Sequence, residues 1–183
     1  DGAMTVSPDT AAYGSTGNTF TFTFTPTDGR DFVDGSSVML TIPAGWPAPV
    51  QLSNVFVATG TCTINPSWSV AASTITVDVV SCLSGQSFTI TYSGVTVPGA
   101  VGSSSTFPTQ TDVPNGNGIF PIASSPTVTI TPKPITVTAD AKSKAVDATD
   151  PTFTYTFSPA LGAGDTFSGT LTRDPGETPG LYA

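Results

Sequence analysis

The sequence predicts an all-β chain of 183 residues, arranged as two β-sandwich modules in tandem. Three observations indicate this class. Threonine alternates with large apolar residues, turn dipeptides interrupt the chain at short intervals, and no segment has the 3.6-residue periodicity of an amphipathic helix. Successive side chains of a strand point to opposite faces, so the alternation produces one apolar face for burial and one hydroxyl face for water.

The alternation is strongest in two stretches, FTFTFT at residues 20–25 and FTYTF at residues 153–157. Both are predicted to be half-buried strands, and we expect the aromatic face of each to pack into the core of its own module. Shorter versions of the pattern occur at Val38, Leu40 and Ile42; at Ile75, Val77 and Val79; at Phe88, Ile90 and Tyr92; at Val128 and Ile130; and at Ile135 and Val137.

Turn signals separate these strands at the spacing typical of a sandwich. Residues 99–117 are poor in apolar side chains and rich in Ser, Gly and Pro, so they are predicted to form a long loop with no more than one short edge strand. The turn signals are Asp28-Gly29, Asp34-Gly35, Pro43-Ala44-Gly45, Ser84-Gly85, Pro98-Gly99 and Asn115-Gly116-Asn117-Gly118.

The boundary between the modules is predicted at Thr131-Pro132-Lys133-Pro134, where two prolines interrupt a continuous apolar alternation. This places one module at residues 1–131 and the other at residues 132–183. A linker of a few residues that contains two prolines is stiff, so the modules are expected to be held end to end.

Cys62 and Cys82 lie on either side of a predicted hairpin whose turn is near Ala71-Ala72-Ser73. Symmetric pairing about this turn brings the two sulfurs close enough for a cross-strand disulfide, the alternative being two buried free thiols. Cys82 is offset by one from Ile75, Val77 and Val79, so a bulge near Val80-Ser81 is needed to turn it inward. A disulfide implies an oxidising, extracellular compartment.

Composition opposes several classes of function. The formal net charge of −8 and the pI near 4.1 disfavour nucleic acid and anionic membranes as partners. No apolar stretch is long enough to insert into a bilayer. Histidine is absent, which excludes Ser-His-Asp and Cys-His arrangements. Glu177 is the only glutamate, so a pair of catalytic carboxylates would have to come from aspartates that lie mostly in turns. We therefore expect no enzymatic activity and no required cofactor.

Asp28, Asp31 and Asp34 place three carboxylates on one loop, and oxygen-rich loops are what Ca²⁺ prefers. The alternative is an ordinary acidic turn, because Asp-Gly is a common turn dipeptide and Arg30 can neutralise part of the charge. Asp140, Asp147 and Asp150 form a second candidate calcium set, for which Lys142 and Lys144 compete. Lysines of the second module are also candidates for a self-formed bond to Asn or Asp, with solvated lysines as the alternative.

Trp46 and Tyr13 lie in Pro-rich and Gly-rich surroundings and are the aromatic residues expected to be exposed, so they are the candidates for stacking on a sugar ring. The alternative for Trp46 is that it plugs the end of a sandwich. Trp68 and Tyr92 share strand faces with other apolar residues and are predicted to be core residues.

The C-terminal part, residues 133–183, resembles the MBG-type module of bacterial surface proteins. The family usually has a Tyr-Gly pair shortly before its Asp-Pro, where this chain has Val146-Asp147, and the family module continues with further strands. We therefore expect an incomplete second module with an unpaired edge beside residues 153–157. The matching segments are KPITVTA at 133–139, KSK at 142–144, DP at 150–151, FTY at 153–155, GDTFSGTLTR at 164–173, GE at 176–177 and GLYA at 180–183.

Residues 4–98 resemble another Ig-like repeat of similar bacterial proteins, through TVSP at 5–8, GSTGNTFTF at 14–22 and LTIPAGWPAP at 40–49. Together the resemblances imply tandem Ig-like β-sandwich modules of a large secreted adhesin-like protein at the bacterial cell surface. The implied function is that of a spacer whose partners are neighbouring repeats. The alternative is a tip module that binds a glycan or a host protein.

Overall fold

The computed structural model describes residues 2–27, 29–114, 118–162 and 165–181. These residues form strands and connections without a helix, which confirms the predicted all-β class. Among them, no helix has the length and apolar character that crossing a bilayer requires. In chain order the strands are β1 (Gly2–Ser7), β2 (Thr10–Ala12), β3 (Asn18–Pro26), β4 (Phe32–Thr41), β5 (Val55–Ala58), β6 (Thr63–Ile64), β7 (Ser69–Ala71), β8 (Thr74–Cys82), β9 (Phe88–Val95), β10 (Ser104–Thr106), β11 (Thr109–Asp112), β12 (Phe120–Pro121), β13 (Thr127–Thr131), β14 (Thr136–Ala139) and β15 (Tyr155–Ser158).

The chain divides into two compact units, residues 1–133 (unit 1) and residues 134–183 (unit 2). Unit 1 is a β-sandwich. One of its sheets has the strand order β1-β3-β9-β5, and the opposite sheet has the order β12-β11-β4-β8-β6, with β7 also beside β8. A third sheet joins β10, β13 and β2, and β2 runs parallel to β13.

The strand order of unit 1 is that of an Ig-like sandwich with one rearrangement. The strands β1, β3, β9 and β5 occupy the places of strands A, B, E and D, and β11, β4 and β8 occupy those of F, C and C′. In this chain β5 precedes β8, whereas strand D of an Ig domain follows C′. The chain therefore crosses between the two sheets on either side of β5.

One apolar cluster fills the space between the sheets of unit 1. The alternation of β3 buries Phe20, Phe22 and Phe24 completely, and their rings contact aromatic side chains from several other segments. Trp68 and Tyr92 are buried in the same cluster, as predicted from the faces they share with other apolar residues.

The prediction of a long loop at residues 99–117 is wrong, because the segment contains both β10 and β11. β11 pairs with β4 on one side and with β12 on the other, so it is not an edge strand. Its inward positions are Thr109 and Thr111, which are almost fully buried. Threonine on the inward face gives no apolar alternation, and this explains why the sequence pattern did not reveal the strand.

Cys62 and Cys82 form a disulfide across the β6–β8 pair, with their Cα atoms 4.5 Å apart. The register between β6 and β8 shifts between Thr63 and Ile64, where β8 has one additional residue. Val79 and Cys82 are both buried and the intervening Val80 is exposed. The bulge predicted near Val80-Ser81 is therefore present, and it turns Cys82 into the core.

The described residues of unit 2 form one sheet, in which β14 pairs antiparallel with β15. Hydrogen bonds between Asp140 and Thr154, which join both their main chains and their side chains, extend the pairing by one position. Tyr155 and Phe157 are 40% and 42% exposed, so the prediction that this aromatic face is buried is wrong. The reason is that no second sheet faces β14 and β15 among the described residues of unit 2.

Phe22 and Phe157 each follow a threonine in a stretch where threonine alternates with aromatic residues, and they form a pair for mutation. Phe22 is fully buried, so Phe22→Ala is expected to lower the free energy of unfolding of unit 1 by about 3–5 kcal/mol. Phe157 is 42% exposed and belongs to unit 2, so Phe157→Ala should leave the unfolding of unit 1 unchanged. Chemical denaturation followed by the fluorescence of Trp46 and Trp68 measures both. Equal effects of the two substitutions would contradict the assignment of the core.

Candidate functional sites

Trp46 lies in the connection between β4 and β5 and is 7% exposed, so its expected exposure is wrong. Its ring packs against Phe20, Phe107 and Tyr92, at centroid distances of 5.3, 5.0 and 6.5 Å. Its indole N–H donates to Ser105 Oγ at 2.9 Å. Trp46 therefore closes the core as a plug, which leaves it little ring surface on which a sugar could stack.

Tyr92 supports the same corner from β9. Its hydroxyl group donates a hydrogen bond to the carbonyl oxygen of Pro47, next to Trp46. Burial raises the pKa of the Tyr92 phenol far above its usual value. The hydroxyl group thus stays protonated and keeps its position as a donor.

Tyr13, the other candidate for sugar binding, is partly buried against the core of unit 1. Its backbone N–H donates to the carbonyl oxygen of Thr131 at 2.9 Å, which continues the parallel pairing of β2 with β13. The structure thus gives Tyr13 a packing role, and sugar binding at this residue stays a prediction.

The acidic loop proposed for calcium is only partly described, since Asp28 lies outside the described residues. Asp31 Oδ1 accepts a hydrogen bond from the backbone N–H of Ser84 at 3.0 Å, so this carboxylate ties the loop to the turn after β8. Asp34 lies in β4, where the register with β8 shifts. The described ranges hold no group of three side chains able to bind a metal. Calcium binding at Asp28, Asp31 and Asp34 stays a prediction.

The densest arrangement of charged groups in the described structure lies in unit 2. This charge cluster consists of Lys144, Asp150, Arg173 and Glu177. Lys144 Nζ lies 2.9 Å from Asp150 Oδ1 and 2.8 Å from Glu177 Oε1. Arg173 Nε lies 2.9 Å from the same Asp150 oxygen, and its second terminal nitrogen lies 2.7 Å from Glu177 Oε1. Each cation therefore bridges both carboxylates.

Backbone groups complete the charge cluster. Lys144 Nζ donates to the carbonyl oxygen of Ala148 at 2.8 Å, and Arg173 donates to the carbonyl oxygens of Asp174 and Gly176 at 2.9 and 2.7 Å. The backbone N–H of Asp147 donates to Glu177 Oε2 at 3.3 Å. The cluster thus joins residues 144–150, between β14 and β15, to residues 173–177.

The four members of the charge cluster hold one another in the ionised form. The hydrogen bonds from Lys144, and then from Arg173, lower the pKa of both Asp150 and Glu177. The carboxylates in turn raise the pKa of Lys144, with Glu177 as the larger cause, and that of Arg173, with Asp150 as the larger cause. Lys144 lies next to a carboxylate, as a self-formed bond between Lys and Asp would require. An amide bond forms only from the neutral amine, whereas the raised pKa keeps Lys144 charged. The geometry favours an ion pair over a cross-link.

The second candidate calcium set is engaged in other contacts. Asp150 belongs to the charge cluster, and Asp140 accepts a hydrogen bond from Thr154. A cleft of about 520 Å³ opens beside the cluster, and Lys142, Phe153 and Leu171 are among the residues that line it. Basic and acidic side chains both line this cleft, so its charge favours neither anions nor cations.

Sequence reasoning did not assemble the charge cluster, although it singled out some of its members. Glu177 stood out as the only glutamate, and the lysines were expected to compete for nearby aspartates. Arg173 and Glu177 are four residues apart, but they are in an irregular segment and not on a helix. No periodicity predicts that such a segment folds back on residues 144–150, because the contact depends on the tertiary structure.

The residue in place of the family's Gly has the backbone conformation that favours glycine. Asp147 has a φ of 60°, in the left-handed region that asparagine and aspartate tolerate better than other non-glycine residues. Its neighbour Val146, in the place of the family's Tyr, is 55% exposed. The turn at Asp147 is thus left-handed although the residue is not a glycine.

Comparison with known protein families finds a match within unit 2. The MBG domain (YGX type) family matches residues 135–183. MBG domains occur in bacterial surface proteins and form a non-catalytic family of surface modules. No curated protein matches the chain in sequence.

The left-handed turn at Asp147 can be tested by substitution. Asp147→Gly keeps the turn without steric cost, whereas the β-branched side chain of Asp147→Val opposes it, so the valine variant should be less stable by about 1–3 kcal/mol. Hydrogen exchange at the Asp140 amide, which donates to Thr154 O, measures the stability of unit 2. Ala148 is the control position, where Ala148→Gly should not be more stable than Ala148→Val. The same preference at both positions would contradict the turn.

Acid is expected to open the charge cluster. Asp150 and Glu177 have lowered pKa values in the folded state, so their stabilisation is present above the ordinary values of 3.8 and 4.5 and is lost as the pH falls through the lower folded values. Lys144 and Arg173 have raised pKa values, so their contribution is lost only in strong alkali. Amide exchange of unit 2, followed from neutral to strongly acidic pH, checks this. Unchanged protection below the ordinary carboxyl values would contradict it.

Proposed function

We propose that the chain is a structural spacer from a large secreted bacterial surface protein of the adhesin-like type, with no catalytic role. The match of residues 135–183 to the MBG family supports a surface location, because the family occurs in bacterial surface proteins. The disulfide of unit 1 agrees with an oxidising compartment outside the cell. Neighbouring repeats of the same polypeptide are the partners that a spacer requires.

The observation that carries the proposal is the parallel pairing of β2 with β13. β2 lies near the start of unit 1 and β13 is its last strand, and Thr10, Ala11 and Ala12 are in register with Thr129, Ile130 and Thr131. Hydrogen bonds from Thr129 N–H to Asp9 O at 2.8 Å and from Tyr13 N–H to Thr131 O at 2.9 Å extend this pairing at both ends.

The parallel pairing of β2, the second strand, with β13, the last strand, determines how unit 1 responds to tension. If the two ends of the unit are pulled apart, β2 and β13 are drawn in opposite directions along their common axis. Their hydrogen bonds are then loaded together in shear, and are not opened one after another as in the peeling of a hairpin. Unit 1 is thus suited to hold its length while a binding domain elsewhere in the parent protein is under load.

The disulfide adds a second mechanical feature. Cys62 and Cys82 are separated by 20 positions, and the segment between them includes β6, β7 and most of β8. A closed loop of this size stabilises a fold by about 3 kcal/mol, chiefly through the unfolded chain. It also prevents the enclosed residues from extending when the remainder of unit 1 unfolds.

Single-molecule stretching of the full chain tests the proposal. Thr129→Pro removes the N–H that donates to Asp9 O and should lower the unfolding force of unit 1. Thr127→Pro is the matched control, because Thr127 lies in the same strand outside the β2 register, and it should retain more of the force. Equal unfolding forces for the natural chain and both variants would overturn the shear mechanism.

Reduction of the disulfide provides an independent readout in the same experiment. The 20 positions between the cysteines add about 70 Å to the extension of unit 1 when the bond is broken. An extension that is the same with and without reducing agent would contradict the closed loop.

A further inference from the structure

The described residues of unit 2 do not enclose an apolar core. None of its residues within 134–162 and 165–181 has a buried side chain. Its sheet has only two strands, and an isolated two-stranded sheet is at best marginally stable in water. Its aromatic group of Tyr155, Phe157 and Phe167 has centroid distances of 5.1 to 6.2 Å, but each ring is at least 40% exposed.

Among the described residues of unit 2, the charge cluster makes the ionic contacts that join distant segments outside the sheet. Lys144 and Glu177 are 33 residues apart in sequence, and Asp150 and Arg173 are 23 apart. Closing loops of this length costs chain entropy, which the ion pairs and their backbone hydrogen bonds must offset. The cluster is also accessible to salt, because the carboxylate side chains are 40% and 42% exposed and the two cationic side chains 18% and 19%.

We propose that the charge cluster is a salt-sensitive latch, which keeps unit 2 closed at low ionic strength and releases residues 173–177 from residues 144–150 at high ionic strength. Screening is the physical cause, since the Debye length falls from about 30 Å at 0.01 M salt to about 3 Å at 1 M. Unit 1 is held by its apolar core and disulfide, on which screening has little effect. The stability of unit 2 would therefore depend on ionic strength, whereas that of unit 1 would not.

Other charged groups lie near the latch, and their effect on the salt response has to be distinguished from that of the latch. Asp140 and Lys142 line the adjacent cleft, and Asp147 and Asp174 contact the cluster through their backbones. Together with the four members they leave an excess of negative charge, whose mutual repulsion salt would relieve. Screening of this repulsion would tighten unit 2, which is the opposite of the effect proposed.

The test is amide hydrogen exchange of the full chain, measured in about 0.01 M and about 1 M sodium chloride. The amide of Asp140, bonded to Thr154 O, and the amides of β15 report on unit 2. Their exchange is expected to accelerate roughly fivefold or more at high salt, as the loss of a network of exposed ion pairs implies, while the amides of β3 stay unchanged.

Two variants with the same change in net charge complete the experiment. Glu177→Gln removes one of the two carboxylates that both cations contact, so at low salt the amides of unit 2 in this variant should exchange as fast as those of the natural chain at high salt. Asp165→Asn removes a charge of unit 2 outside the cluster and should retain the salt response. Exchange that is independent of salt in the natural chain would overturn the latch. Equal effects of the two variants would also overturn it, because net charge would then be the cause.

Discussion

The burial of one face of β3 between two sheets is the interaction on which the rest of unit 1 depends. Phe20, Phe22 and Phe24 are fully buried, and complete burial of a phenylalanine contributes about 1.5–3 kcal/mol relative to exposure. Their rings contact side chains from distant parts of the chain, including Phe32 and Phe107. Because β3 is also paired with β1 on one side and β9 on the other, a one-residue slip would move all three rings to the solvent face. The register of the sheet and the filling of the core are therefore one constraint.

In the described part of unit 2, the same alternation of threonine and aromatic residues occurs in a strand that is not packed between two sheets. FTYTF at residues 153–157 supplies a strand that pairs with β14, but no second sheet faces its aromatic side among the described residues. Strand formation follows from the local pattern and one pairing partner, whereas burial requires a facing layer that the alternation cannot provide. In unit 2 the members of the charge cluster supply long-range contacts in place of a core. Such contacts are weaker per pair and depend on solvent conditions, so the two units differ in kind as well as in size.

The contrast also explains which features the sequence could reveal. Alternation located the strands around Phe20–Phe24, and the offset between Cys82 and Val79 predicted the bulge that turns the cysteine inward, because both signals are local and periodic. Trp46 was expected to be exposed because it follows a proline-rich turn, but a loop can fold over the end of a sandwich, and only the packing against Phe20 and Phe107 shows that it does. β11 was missed because its inward residues are threonines. The charge cluster was missed because ion pairs between irregular segments have no periodicity.

The contacts that hold the two units together differ in how they are expected to respond to tension and to salt. In unit 1 the second and last strands, β2 and β13, are adjacent and parallel, so tension is expected to load their hydrogen bonds in shear. In unit 2 the contact from residues 144–150 to residues 173–177 is made by ion pairs whose carboxylates are 40% and 42% exposed, so salt can screen them. By the latch that we propose, a change in ionic strength is expected to act on unit 2 before unit 1. The different responses that we propose for the two units follow from the source of their stability, which is an apolar core with a disulfide in unit 1 and a network of ion pairs in unit 2.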